Sequence, residues 1–244
     1  MDWIKQYQIS DKDIATYYGQ SNTIEFTHQC ELIGEEIIHA LKRHIPHDIT
    51  KLKVLDFGCG IGRPLFKLYS TYQVPTHACD VNKPAINFLK LQTAEMPVLT
   101  HSKFDPPLPY ENNFFDAIYS ISVWTHLEKK DEELWLAEIK RILKPGGIIL
   151  ISFIGPNGLP LRQKRYSDWK EINQSDLSQR GRVYIEHKNQ NSGTGSEFTP
   201  RWGTTMHTPG YIIENWSKNL EVLEIAENGL PASQHSYAIL KKPY

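Results

Sequence analysis

Apolar positions along this chain follow two rhythms, and the rhythms alternate. Residues 25–41 place Leu32, Ile33, Ile37, Ile38 and Leu41 at the spacing that lines one helix face. Residues 131–143 repeat that spacing with Leu134, Leu136, Ile139, Ile142 and Leu143. Shorter helices are predicted over 65–72 and 84–91, the second with Asn82 as its cap and Pro84 in its first turn. Between them stand short runs of β-favouring residues at 54–56, 76–80, 97–101, 114–121 and 147–153. The last run is nearly all apolar, as expected of a strand covered on both faces. Pro46 closes the first helix, and Lys144-Pro145-Gly146-Gly147 stops the one before the fifth strand. The alternation of strand and helix predicts an α/β fold with a Rossmann-like, doubly wound sheet.

The alternation breaks at 155–208. That stretch is polar, rich in Gly, Ser, Asn and Gln, and too long for an ordinary loop. It reads as an inserted lid or acceptor-binding segment, with strand character at 182–186 and 197–206 that suggests a hairpin. A helix at 209–219 follows, then strands at 220–226 and 236–240, which suit an antiparallel pair at the sheet edge. Residues 1–50 form a helical leader, in which Tyr17 and Tyr18 either close over a ligand or simply pack. No linker or repeat divides the chain, so a single domain over 1–244 is expected.

The first strand runs into KLKVLDFGCGIGRP, residues 51–64. Alternate glycines let a backbone turn sharply and bring its N–H groups to a ligand, and a helix starting there adds its positive end. The spacing is G-x-G-x-G. A dinucleotide fingerprint needs a third glycine at 63, where this chain has Arg63. Asp56 stands two residues before the first glycine, suited to an ammonium group or to holding the turn. Asp80 ends the second strand, where a carboxylate can take both hydroxyls of a ribose. A ligand with ribose, ammonium and carboxylate but no phosphate is S-adenosylmethionine.

Composition narrows the partners. With 244 residues, 40% of them hydrophobic, the chain can build a full core. A net charge of −1 with scattered lysine and arginine announces no nucleic-acid groove, and the cluster at 162–165 reads as a solvated helix face. No apolar run approaches a membrane span, and the first residues lack the apolar core of a signal peptide. The three cysteines, Cys30, Cys59 and Cys79, lack metal spacing and fit a reducing, cytoplasmic setting. The expected partner is a small-molecule substrate, with no nucleic acid, membrane or metal.

Four segments in order resemble the class I S-adenosylmethionine-dependent methyltransferases: VLDFGCGIGR, ACDVN, PPLPYENNFFDAIYSISVWTHL and ELWLAEIKRILKPGGIILIS. The chain is most similar to small bacterial members acting on sugars or secondary metabolites, whose tails resemble HTPGYIIENWSKNLEVLEIAENGL. Many of them carry Gln-Asp before the last strand, where this chain has Gln234-His235. The resemblance implies a seven-stranded sheet with an antiparallel last strand. It implies that Asp56, Gly58 and Gly60 hold the methionine part, and that Asp80 binds the ribose. Val81 would pack on the adenine, and Asp105 or its neighbour Phe104 would sit at the adenine edge. Ser120 and Ile121 would lie beside the methionine end. Asp105 also suits turn initiation before Pro106-Pro107, and Arg63 suits either a carboxylate anchor or the surface.

Methyl transfer from a sulfonium is an in-line displacement in which positioning contributes most of the catalysis. A hydroxyl acceptor must also lose a proton, which calls for a base. His126, just past the fourth strand, is the first candidate; His207, at the end of the insertion, is the second. His28 and His187 are weaker candidates. Trp124 and Trp202 are candidate walls of an acceptor pocket, with core packing the rival role for Trp124. The expected activity is methylation of a hydroxyl on a sugar or natural product. The alternatives are a nitrogen or carboxylate on a peptide-like metabolite, a nicotinamide-dependent oxidoreductase, and a non-catalytic S-adenosylmethionine-binding protein.

Overall fold

A computed structural model describes residues 10, 12, 14, 23–93, 98–186, 203–230 and 235–244. Readings that fall on Tyr17, Tyr18, His187, Trp202 and Gln234 lie outside these residues. The leader helix α1 spans Thr23–His44. Then follow β1 (Val54–Phe57), α2 (Arg63–Tyr72), β2 (Thr76–Asp80), α3 (Lys83–Gln92) and β3 (Leu99–His101). After these come β4 (Phe115–Ser120), α4 (Lys129–Ile142) and β5 (Leu143–Phe153). The segment after β5 contributes α5 (Leu159–Arg165), α6 (Gln174–Arg180), β6 (Arg182–Glu186) and β7 (Gly203–His207). The chain continues through α7 (Pro209–Trp216), β8 (Glu221–Leu230) and β9 (His235–Lys241).

Seven strands make one sheet in the order β3-β2-β1-β4-β5-β9-β8. The first five strands are parallel neighbours, and β9 runs antiparallel to both β5 and β8. The expected antiparallel last strand is present, but it lies inside the sheet, and β8 takes the edge. The expected hairpin in the insertion is a separate two-stranded sheet, β6 against β7.

Period-two alternation divides the strands between two layers. On one face Val54, Tyr119, Ile148, Leu150 and Ile239 meet Ile33, Ile37, Ile38 and Leu41 of α1, all nearly fully buried. On the other, Leu55, Phe57, Ile149 and Ile151 meet Trp135, Leu136 and Ile139 of α4 and Ile212 and Trp216 of α7. The inward face of α4 is therefore rotated from the predicted one. Leu134 is 42% exposed and Trp135 turns in. The helices α1 and α2 cross closely at Gly34, where a Cβ would stand 2.6 Å from the Lys67 side chain. Lys67 answers with ion pairs to Glu31 at 2.5 Å and Glu35 at 2.9 Å.

One buried acid joins the insertion to the sheet. Glu132 of α4 is 1% exposed. It accepts hydrogen bonds from His207 Nε2 at 2.7 Å, Trp216 Nε1 at 2.9 Å and Tyr211 Oη at 3.0 Å, with Arg182 Nε at 3.4 Å. Burial alone would raise its pKa. The charge and hydrogen bond of His207, with Arg182 and Trp216, outweigh burial and hold it at about 2. Removing one partner of a buried pair leaves the other uncompensated, so Glu132→Ala is expected to cost about 3–5 kcal/mol in urea unfolding at pH 7. The sign of the pH dependence follows from the lowered pKa. The carboxylate's contribution is present above its ordinary value of 4.5 and is lost as pH falls toward 2. The stability gap between wild type and variant should therefore narrow across that window; a gap independent of pH would contradict this account.

Candidate active site

A cavity opens at the carboxyl ends of β1, β2 and β4, where open α/β sheets hold their ligands. One end is built by the glycine turn. At Gly58 the chain leaves β1 with φ +78°, and an added Cβ would stand 2.2 Å from Val123 Cγ2, so only glycine fits. The N–H groups of Gly58 and Cys59 donate to Cys79 O at 2.9 and 3.1 Å, which ties the turn to β2. Asp80 completes the tie. Its Oδ2 accepts from Gly60 N–H and its Oδ1 from Asn82 N–H, each at 2.7 Å. Each carboxylate oxygen keeps further acceptor capacity, and Asp80 lines the cavity together with Phe57, Gly58, Val81, Ser102 and Phe104.

The electrostatics of this end favour a cationic ligand with hydroxyls. Burial raises the pKa of Asp80 even against the hydrogen bonds from Asn82 and Gly60. Burial raises that of Asp56 further, and the neighbouring Asp80 charge adds to it. An ammonium or sulfonium nearby would relieve both carboxylates. A ribose diol meets acceptor oxygens at Asp80, and an adenine meets the apolar Val81 and Phe104. The residues present thus fit S-adenosylmethionine, which Asp80 and the glycine turn would hold.

The other end is built by the chain just after β4. Ser122 takes φ +63°, its N–H donating to Ser152 Oγ at 2.7 Å, and the path turns so that Ser122, Val123, His126 and Leu127 line the wall. Trp135 of α4 closes it. His126 Nδ1 lies 2.8 Å from Gly203 O. A carbonyl only accepts, so Nδ1 carries the proton and Nε2 is the basic nitrogen of the neutral ring. Behind Ser122, His235 Nδ1 sits 3.4 Å from Ser122 Oγ. Burial first, then the charges of Arg162, Arg63 and His126, depress the His235 pKa to about 3. Arg162 is half-buried rather than solvated, and its Nε has no hydrogen-bond partner among the described residues.

The structure brings Gly58, Asp80, Val81, Phe104 and His126 together on the cavity. Gly60 stands behind them, bonded to Asp80. The other predicted residues lie elsewhere, each for a definable reason. Asp56 is on the opposite face of β1 from Phe57, 1% exposed, and accepts from Tyr119 Oη at 3.0 Å. Arg63 donates to Gln29 of the leader helix at 2.9 Å. Asp105 is exposed in its turn, and Phe104 takes the wall. Ser120 is buried and donates to Phe57 O, and Ile121 packs in the core on the leader side. His207 is fully buried with Nε2 committed to Glu132, so the second candidate base serves the network that fixes the insertion. Trp124 is fully buried against Phe57 and Trp216, which decides for packing. His28 is exposed on α1. Sequence reasoning missed Phe57, Ser102, Ser122, Val123, Leu127 and Trp135. The strand-ending Ser-Ile-Ser at 120–122 was the available signal for two of them, since the cavity wall begins where β4 stops.

Residues 55–151 match the family model described as a methyltransferase domain. The sterol 24-C-methyltransferase ERG6B of Gibberella zeae is 29% identical over 142 residues, covering 54% of this chain and 36% of its own length. The tRNA N(3)-cytidine methyltransferase METTL2 of Bos taurus is 24% identical over 174 residues, covering 59% of this chain and 46% of its own. This chain therefore spans under half the length of these curated relatives. Among solved structures, the PH0226 protein of Pyrococcus horikoshii OT3 superposes with a TM-score of 0.63 at 19% identity, covering 98% of this chain and 99% of its own. The 1,6-didemethyltoxoflavin-N1-methyltransferase of Burkholderia thailandensis reaches 0.60 at 14% identity, covering 96% and 86%. The matched domain at 55–151, the fold and the cavity together support a methyltransferase that uses S-adenosylmethionine. Among the described residues no helix is long and apolar enough to cross a membrane.

If Asp80 takes the ribose, Asp80→Ala should weaken S-adenosylhomocysteine binding at least about tenfold, the worth of about 1.4 kcal/mol. Gly58→Ala should do the same by clash at Val123. Isothermal calorimetry reads both, and an unchanged affinity in Asp80→Ala would remove this cavity as the cofactor site.

Proposed function

We propose that this protein methylates a hydroxyl of a small molecule, a sugar or natural product, with His126 as general base. The observation that carries the reading is the placement of His126 on the cavity wall with Nδ1 held by a carbonyl. S-adenosylmethionine, when bound, supplies a methyl group already activated on a sulfonium. The chain's own part is to seat the ribose on Asp80, to hold the acceptor against Trp135 and Leu127, and to take the hydroxyl proton at Nε2 of His126. A small acceptor is supported by the net charge of −1 and the absence of a basic stripe in the sequence.

A second reading has its own support. The half-buried Arg162 with its unpartnered Nε, and the positive surroundings of His235 beside Ser122, favour a carboxylate acceptor. A carboxylate has no proton to lose, so the two readings separate in one variant. For a hydroxyl acceptor, His126→Ala should lower kcat by about 10²–10⁴-fold while S-adenosylhomocysteine affinity stays within threefold. For a carboxylate, the rate should survive His126→Ala, and the product should release methanol in alkali. The test is a radiolabelled methyl-transfer assay over a panel of sugars, phenols and carboxylic acids. Tighter binding of a nicotinamide dinucleotide than of S-adenosylhomocysteine would overturn both readings.

A further inference from the structure

The loop that carries His126 is gripped on both sides by the inserted hairpin. Alternate residues of a strand point the same way, and β7 offers Gly203 and Thr205 to that loop. Gly203 O faces Nδ1 of His126 at 2.8 Å. The Thr205 N–H donates to Thr125 O at 2.8 Å, and its Oγ1 donates to Leu127 O at 2.7 Å. From β6, Arg182 Nη2 donates to the same Leu127 O at 2.6 Å. The carbonyls immediately before and after His126 are therefore both held, and its ring is held as well. Within the loop, the His126 N–H donates to Val123 O at 2.9 Å, closing a turn. The grip has a fixed base. Arg182 also reaches Glu132, and β7 ends at His207, whose ring donates to the same carboxylate.

We propose that Thr205 and Arg182 are positioning residues for His126: they lock the loop so that Gly203 O selects the Nδ1–H tautomer and Nε2 faces the reaction as base. The inference rests on the reading of His126 as the base. Its physical content is independent of it, because a tautomer is measurable without turnover. Without the grip, a loop shift of an ångström would break the Nδ1 bond, and a free imidazole exchanges its proton between both nitrogens. The insertion then acts on the chemistry as well as on the shape of the acceptor pocket.

Two-bond ¹H–¹⁵N correlation spectra of the S-adenosylhomocysteine-loaded protein, above the titration of the ring, report which nitrogen of His126 bears the proton. Wild type should show a protonated Nδ1 and an unprotonated Nε2. Thr205→Val keeps the backbone bond to Thr125 but loses the hydroxyl, and should move both signals toward the averaged shift of an exchanging ring. Thr205→Ser restores the hydroxyl and should restore the wild-type spectrum. Arg182→Lys keeps a charge for Glu132 while losing the planar reach to Leu127 O, and should shift the signals in the same sense as Thr205→Val. A purely structural role would lower the melting temperature and leave the ring signals in place; that result in the folded Thr205→Val and Arg182→Lys proteins would overturn the proposal. Full methyl transfer by His126→Ala would instead reject the base while leaving the tautomer result to stand on its own.

Discussion

A carboxylate with 1% exposure holds the added layer of this protein to its sheet. Glu132 is costly to bury as an anion, and it stays ionised because four donors converge on it from three separate elements. Take the acid away and β6, β7 and α7 lose the point at which they meet α4. The tightness of that meeting decides how firmly the hairpin can press on the loop after β4. The geometry of that cavity wall thus depends on a charge that does not line it.

The cavity has two ends of different construction. One end belongs to the sheet: the turn after β1, the last residue of β2, and the Asp80 carboxylate that binds the two together. Its parts are close in sequence and backbone-rich, so few side chains can vary. The other end is lined by the loop after β4 and by α4, with the hairpin and the start of β9 bonded behind that loop. Those parts are distant in sequence and side-chain-rich. This division accounts for a fold shared with proteins named for sterols, tRNA and toxoflavin precursors alike.

What was legible in the sequence follows the same division. The strand at 76–80 is found at the predicted residues, and Gly58, Asp80, Val81 and Phe104 all line the one cavity. Strand alternation puts Asp56 and Phe57 on opposite faces, and it is Phe57 that lines the cavity while Asp56 bonds Tyr119. Choosing between His126 and His207 needed Glu132, which lies 75 residues from His207. No local pattern announces such a partner. The rotation of α4 had a similar origin: Leu134 and Trp135 both suit an apolar face, and the buried Glu132 fixed the helix so that Trp135 turned inward. Ile121 was placed beside the methionine end by the resemblance, yet the backbone turns at Ser122 and the cavity wall starts there.

The place of β9 has a consequence for assembly. It follows β8 in the chain but lies between β8 and β5, so β8 has nothing to pair with until β9 exists. During synthesis β5 waits with an open edge of Ile148 to Phe153, six residues that β9 later covers. An uncovered apolar edge of that kind is a template for the wrong partner. The strand that brings His235 to the site is also the one that seals the sheet, so completion of the site and protection of the nascent chain are a single late event.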